Sequence, residues 1–347
     1  MPRITPRIRR SAAVAVALVA GAATAPAAHA DTHAAESTSA SAPVTKGLYQ
    51  SAYSERNHAL WTTSAVGRPP VTTSALTKLD PVTLKVEATY TPPVTDAATG
   101  AVEAVYGVAV DDEHNTVWVT NTRNNSVAVY SQRNGAHLAT LPNVAHAREV
   151  VVDEKRDTVW ASGFGDGSVV GFDSRTFKEK KRVTVEGAGP TGLTVNERTG
   201  TVYAADMTND QLIEVTRKST KPRLVPAGDG PLSVALSKNG RTAYTADNAA
   251  GTVSVVDLDK GLVTKSVPTG AGTLSVAADD RTGKVVAVNR TDATATVVDP
   301  RSGAVVKTVS TGANPNHVEI ARGTAYVVDK SGTGPAGEDV LTRFRVR

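Results

Sequence analysis

Hydrophobic and polar residues alternate along this chain in short runs, and the runs return at a fixed interval. TVWVT (116–120), TVWAS (158–162), TVYAA (201–205), TAYTA (242–246), KVVAV (284–288) and TAYVV (324–328) share one pattern. Their third residues are Trp118, Trp160, Tyr203, Tyr244, Val286 and Tyr326, at spacings of 42, 43, 41, 42 and 40. ALWTT (59–63) places Trp61 in the same role, which makes seven units. Alternation with a period of two is the mark of a half-buried strand.

The fifth unit shows the order within each repeat. SVALS (233–237), TAYTAD (242–247), TVSVVD (252–257) and LVTKSV (262–267) are separated by Gly, Asn and Asp turn residues. Four short strands per unit of about 40 residues predict an all-β fold, a seven-bladed β-propeller of four-stranded antiparallel blades. A solenoid of hairpins would need polar end caps, and none is visible. The last unit stops at its third strand, VLTRFRV (340–346). Its fourth strand is therefore expected from the spare segment around residues 42–46, so that an N-terminal strand closes the ring and removes an exposed edge.

Turn chemistry recurs with the strands. Asp80, Asp173, Asp257 and Asp299 each follow a third strand, where an Asp side chain can bind the backbone two residues on. Gly187, Gly228, Gly270 and Gly312 recur between units and are expected to supply positive φ. The three Trp all occupy the repeat's aromatic position and are expected in the core.

Residues 1–30 read differently. Arg3, Arg7, Arg9 and Arg10 precede an Ala/Val-rich stretch and a small-residue Ala28-His29-Ala30 site, the three parts of a secretory signal peptide. Cleavage is expected after Ala30, with 31–41 a flexible tether, 42–347 the propeller, and the protein secreted or extracytoplasmic. The apolar run is short and broken by Gly21 and Pro26, which argues against a retained membrane anchor. Arg9-Arg10 lacks the following bulky apolar residues of twin-arginine export. Loss of the leader changes the charge picture: 38 Lys+Arg less 4 leaves 34, against 34 Asp+Glu. The basic character belongs to the leader, and global electrostatics give no case for a nucleic-acid partner. The absence of Cys excludes disulfides, thiol nucleophiles and Cys-ligated metals.

WVTN (118–121) is a near-literal YVTN repeat, and YTAD, YAAD and YVVD are close variants. SERNHALWTTS (54–64), LTKLDPVTLKV (76–86), AREVVVD (147–153), NPNHVEI (314–320) and EDVLTRFRV (338–346) add to the pattern. From Lys46 to Arg347 the chain resembles the YncE-like family of YVTN-repeat seven-bladed β-propellers. That resemblance implies an exported propeller with a binding or scaffolding role and no enzymatic activity. Single-stranded DNA binding is attributed within the family, and proteins with similar repeats include lactonase-like hydrolases and streptogramin lyases. Fold alone does not choose among these.

Aligned on the repeat aromatic, the first residues of the inner strands are Gln50, Gly107, Glu149, Gly192, Ser233, Ser275 and His317. Their preceding neighbours include Tyr49, Tyr106, Arg148, Thr191 and Asn316. These positions should line the channel mouth. Arg148, Glu149, Asn316 and His317 depart from the small residue usual there: an Arg can fork onto an anion, and a His can move a proton near neutrality. Against this, Arg148 and Glu149 are adjacent on a strand and should point to opposite faces. Three insertions, 67–73, 91–100 and 331–338, fall in the sector of blades one and seven on the same face, where they could add contacts or reflect tolerance near the termini.

The expectation is a monomer that binds an unidentified small molecule, polymer or protein at the channel mouth through Arg148, Glu149, Asn316, His317, Tyr49 and Tyr106, without chemistry. One alternative is a hydrolase or lyase using His317 with Glu149. Another is single-stranded DNA binding with Tyr49 and Tyr106 as stacking rings. The ring Asn121, Asp206, Asp247, Asn289 and Asp329 is expected to cap turns, and Asp111-Asp112-Glu113-His114 to be a solvated hairpin tip. No metal site has ligand spacing, and no cofactor motif or G-x-S-x-G occurs.

Overall fold

The computed structural model describes residues 39–347. The leader assigned to 1–30, and the tether up to residue 38, lie outside that range.

Seven four-stranded antiparallel sheets follow one another along the chain. Blade one comprises Leu48–Ser54, Ala59–Val66, Thr73–Leu79 and Val86–Tyr90. Blade seven comprises Pro315–Ala321, Thr324–Asp329 and Val340–Arg345, with Ala40–Pro43 as its fourth strand. The inner strands of consecutive blades touch all the way round, and that of blade seven touches that of blade one. The forty-residue repeat therefore closes into a ring of seven. No helix among the described residues is long and apolar enough to cross a membrane.

The closing strand lies slightly earlier than the sequence predicts. Regular pairing runs Ala40↔Arg343 to Pro43↔Val340, so residues 40 and 41, assigned to the tether, belong to the sheet. Val44 and Thr45 extend the contact through Val44 N–H to Asp339 O at 3.0 Å and Asp339 N–H to Thr45 O at 2.9 Å. Lys46 and Gly47 then turn the chain towards the inner strand of blade one, and Gly47 adopts φ 77°.

The core lies between blades. Seven apolar clusters each join two neighbouring blades. Alternation explains the repeat motif. On the second strand of blade two, Trp118 packs towards blade three with Phe172, while Val117 and Val119 pack towards blade one with Trp61. Trp61 and Trp118 are fully buried and Trp160 almost so. One strand thus contributes to two interfaces, which is why its residues are almost uniformly apolar.

The Asp turns form as expected. Asp80 Oδ1 accepts the Val82 N–H at 3.0 Å, Asp173 and Asp299 likewise accept from two residues on, and Asp257 accepts from Lys260, three residues on. The inter-blade glycines are only partly explained by positive φ. Gly187 and Gly270 have it, at 73° and 146°. At Gly228 and Gly312 the reason is space: an added Cβ would strike the carboxylates of Asp247 and Asp329. Those buried side chains end second strands; Asp329 accepts the Asn314 N–H of the inter-blade loop at 3.1 Å, and others tie the strands of their own blade. Asp247, for example, accepts hydrogen bonds from Thr245, Thr252 and Ser254.

Candidate functional site

The inner strands of six blades begin with a register shift, as between Leu48 and Ser51, Ala147 and Val150, and Pro315 and His317. A bulge re-aims side chains at the rim of a sheet. Its consequence is direct. Arg148 and Glu149, expected on opposite faces, line the same cavity, as do Tyr49 with Gln50 and Asn316 with His317. The cavity at the channel mouth has a volume of about 320 Å³. It brings together all six candidate residues named from the sequence.

A second cavity of about 570 Å³ occupies the other half of the channel and shares Glu149, Ser233, Ser275 and His317 with the first. Those four residues form the waist. Several ring residues there share one task, which is accepting a backbone N–H from the next blade. Ser233 accepts from Val276, Ser275 from Val318, and Gln50 from Val108. His317 does the same with Nδ1, accepting the Ser51 N–H at 3.3 Å. Burial pushes its pKa down to about 4, so the ring is neutral at physiological pH. Glu149 accepts from Gln50 Nε2 at 2.9 Å, across Gly107, where any side chain would collide with Arg148 O and Thr120. Burial raises the Glu149 carboxyl to about 7. No hydrogen bond joins His317 to Glu149; each is engaged elsewhere.

Sequence reasoning missed Glu319. It lies two residues beyond His317, on the same side of the strand, and lines the far half of the channel. Burial, with a smaller contribution from Glu149, raises it to about 8. The i, i+2 spacing on an inner strand was the available signal.

Sequence reasoning also missed three of the four mouth cations. Arg123, Arg290 and Lys330 join Arg148 around the cavity. Arg290 and Lys330 directly follow Asn289 and Asp329, the residues that end second strands, and Arg123 follows Asn121 by two. The residue after the repeat's terminal Asn or Asp is thus a mouth position. Among the described residues, none of the four has a carboxylate oxygen within 4.0 Å. Arg290 donates to Asn316 Oδ1, whose amide donates to Tyr49 O at 2.6 Å. The Arg290 Nε is buried without a partner. Burial and mutual repulsion lower the pKa of Arg148 and Arg290, and Lys330 falls to about 8.

The tyrosines are not free platforms. Tyr106 is buried and meets Tyr49 edge-on at 4.3 Å between centroids, and Lys330 Nζ sits 3.2 Å over the Tyr49 ring. The blade-one insertions lie behind them. Val71 O accepts the Val102 N–H at 2.9 Å, and Val71 packs with Ala65, Ala104 and Tyr106. None of the three insertions lines the mouth cavity. Only the first, through Val71, packs against the mouth residue Tyr106.

The Asp111–His114 segment is less solvated than predicted. Asp111 is fully buried and contacts His114 Nδ1 at 2.8 Å. Glu113, His114 and Asp157 converge as metal ligands could, but Arg175 already contacts both His114 Nε2 and Asp157, at 3.1 Å each.

The chain is similar to the uncharacterized protein YncE of Escherichia coli O157:H7, 26% identical over 235 residues, which is 63% of this chain and 64% of that protein. The strain K12 protein of the same name is 27% identical over the same coverage. This chain is a seven-bladed propeller similar in sequence to these proteins. The Salmonella typhi YncE gives 26% identity. The chain spans 64% of the length of these curated relatives. No protein-family model matches it.

Proposed function

We propose that this YncE-like propeller is a binding protein whose channel mouth takes an anionic ligand and does no chemistry on it. One observation carries the reading: Arg123, Arg148, Arg290 and Lys330 face a single cavity, and among the described residues none has a carboxylate partner. Like charges held in a concavity repel one another and lose hydration, so an oxyanion there relieves both costs. Chemistry is disfavoured because His317 and Glu149 are bonded to neighbouring blades and not to each other. Base stacking is disfavoured because Tyr49 and Tyr106 are occupied by each other and by Lys330. The same reading holds the protein to be an exported monomer, with Asp31 as its first mature residue.

Calorimetric titration of acetate, citrate and inorganic phosphate into the mature chain tests it. The expected result is anion binding that weakens with added salt and drops at least tenfold in an Arg148→Gln, Arg290→Gln variant. Equal binding by that folded variant overturns it.

A further inference from the structure

A third cavity, of about 480 Å³, adjoins the mouth and is lined by Phe164, Met207, Leu232 and Leu274. Arg148, Leu232, Leu274 and Arg290 line both cavities, so the two are continuous. The apolar residues are brought together by the positions that also supply the cations. Leu232 and Leu274 are the inner-strand neighbours of Ser233 and Ser275, equivalent to Arg148 beside Glu149. Met207 follows Asp206 as Arg290 follows Asn289. The mouth therefore divides by blade. Blades two and seven are cationic, blade four supplies Met207, blade five supplies Leu232 with Asn248 beside it, and blades three and six carry one cation and one apolar residue each at the seam.

A single exposed apolar side chain needs no explanation. Four converging on a concavity, with Met207 36% exposed and two uncompensated guanidiniums at the border, form an amphipathic surface. Arg148 lies with its Cζ 5.8 Å from the Phe164 ring centroid, which holds a positive charge at the edge of the apolar wall.

We propose that the ligand is an amphipathic organic oxyanion. Its carboxylate or phosphate head sits between Arg148 and Arg290, and its apolar body covers Phe164, Met207, Leu232 and Leu274. This rests on the anion-binding reading above and adds the ligand's second half. Charge complementarity fixes the head, and continuity of the two cavities fixes the direction of the body.

The test uses the mature chain and four probes: octanoate, acetate, octyl phosphate and inorganic phosphate, each below its aggregation limit. Octanoate should bind at least tenfold tighter than acetate, since burying two methylenes alone is worth roughly tenfold. Octyl phosphate should exceed inorganic phosphate likewise, and the tighter of the two amphiphiles identifies the head. In a Met207→Gln, Leu232→Thr variant the ratio of octanoate to acetate affinity should fall towards one, whereas Arg148→Gln with Arg290→Gln should weaken both. If the short anions bind in an Arg148-dependent way and the long ones gain nothing, the apolar half of the proposal is overturned and the anion site stands. If neither class binds, both fail. Thermal melting of each variant confirms that the ring is intact.

Discussion

His317 of blade seven accepts the backbone N–H of Ser51 in blade one through Nδ1, at 3.3 Å. The bond ties the last inner strand to the first, where the ring closes. It makes His317 the counterpart of Ser233 and Ser275 in the ring of inner-strand contacts. Burial pushes its pKa down to about 4 from an ordinary 6.5. A depressed folded pKa means that the unfolded chain takes up the proton first. Its contribution is present above pH 6.5 and is lost as pH falls through about 4. His317→Ala should cost about 1–3 kcal/mol at pH 7, and the difference from wild type should shrink towards pH 4. Denaturant melts at pH 7, 5.5 and 4.5 check this, and a pH-independent difference would refute it.

Glu319 has the opposite sign. Its carboxyl is raised to about 8 and that of Glu149 to about 7, both from 4.5, with burial as the main cause. A raised folded pKa on an acid gives stability that is full below pH 4.5 and is lost as pH rises through those values. The melting temperature of the wild type should therefore fall between pH 6 and 9. Glu319→Gln, which cannot ionise, should flatten the upper part of that profile and be the more stable protein at pH 9. Parallel curves for the two proteins would show that the carboxyl is ionised throughout.

Trp118 is the strongest single test of where the stability resides. It packs between blades two and three against Phe172 and Phe177, with centroid distances of 6.5 and 5.6 Å. Trp118→Ala should cost about 3–5 kcal/mol. Substitution of the exposed Val82 (63% exposed) should stay within about 0.5 kcal/mol. Urea titration separates the two cases.

The residues that made the fold legible are those that made the site hard to see. A repeat aromatic flanked by alternating small apolar residues needs one environment, the gap between blades, so its spacing alone yields seven sheets and a ring. The inner-strand starts could be aligned from Trp118 and its equivalents, and every position so aligned reaches the mouth. What alignment could not show was the bulge that turns Arg148 and Glu149 into one cavity, because a register shift leaves no trace in a two-residue period. Arg290 and Lys330 were hidden for another reason: they follow the capping Asn and Asp, one step past the end of the strand, where the two-residue period no longer tells which way a side chain faces. The insertions of blade one drew notice by their length, yet Val71 and Val102 bond each other behind the wall.

Ring closure by Ala40–Pro43 should be a measurable support. Ser41 and Thr342 hydroxyls meet at 2.8 Å, and the ladder runs from Ala40 to Pro43. A chain starting at Lys46 would expose the Val340–Arg345 edge with its backbone groups unpaired. Its melting temperature should fall, and it should form concentration-dependent oligomers on size-exclusion chromatography. A monomer with an unchanged melt would show that the strand is dispensable.

Lys330 gives the proposed anion site its own pH signature. Its ammonium lies 3.2 Å over the Tyr49 ring, and burial together with Arg290 holds its pKa at about 8. The arginines beside it stay charged across the accessible range, so Lys330 is the mouth cation that titrates near neutrality. Below pH 8 it adds a positive charge to the cavity, and above pH 8 that charge is lost. Anion affinity should drop roughly three- to tenfold between pH 7 and 9, about 1 kcal/mol for one charge contact at a partly buried site. Bound anion should in turn raise the Lys330 pKa by the same coupling. Lys330→Met should show the weaker affinity at both pH values and a shallower profile between them, the remaining slope coming from Glu149, which lines the same cavity and ionises at about 7. A wild-type affinity that stays level from pH 7 to 9 would mean that Lys330 is neutral throughout or remote from the ligand, and would leave Arg123, Arg148 and Arg290 as the whole of the anion site.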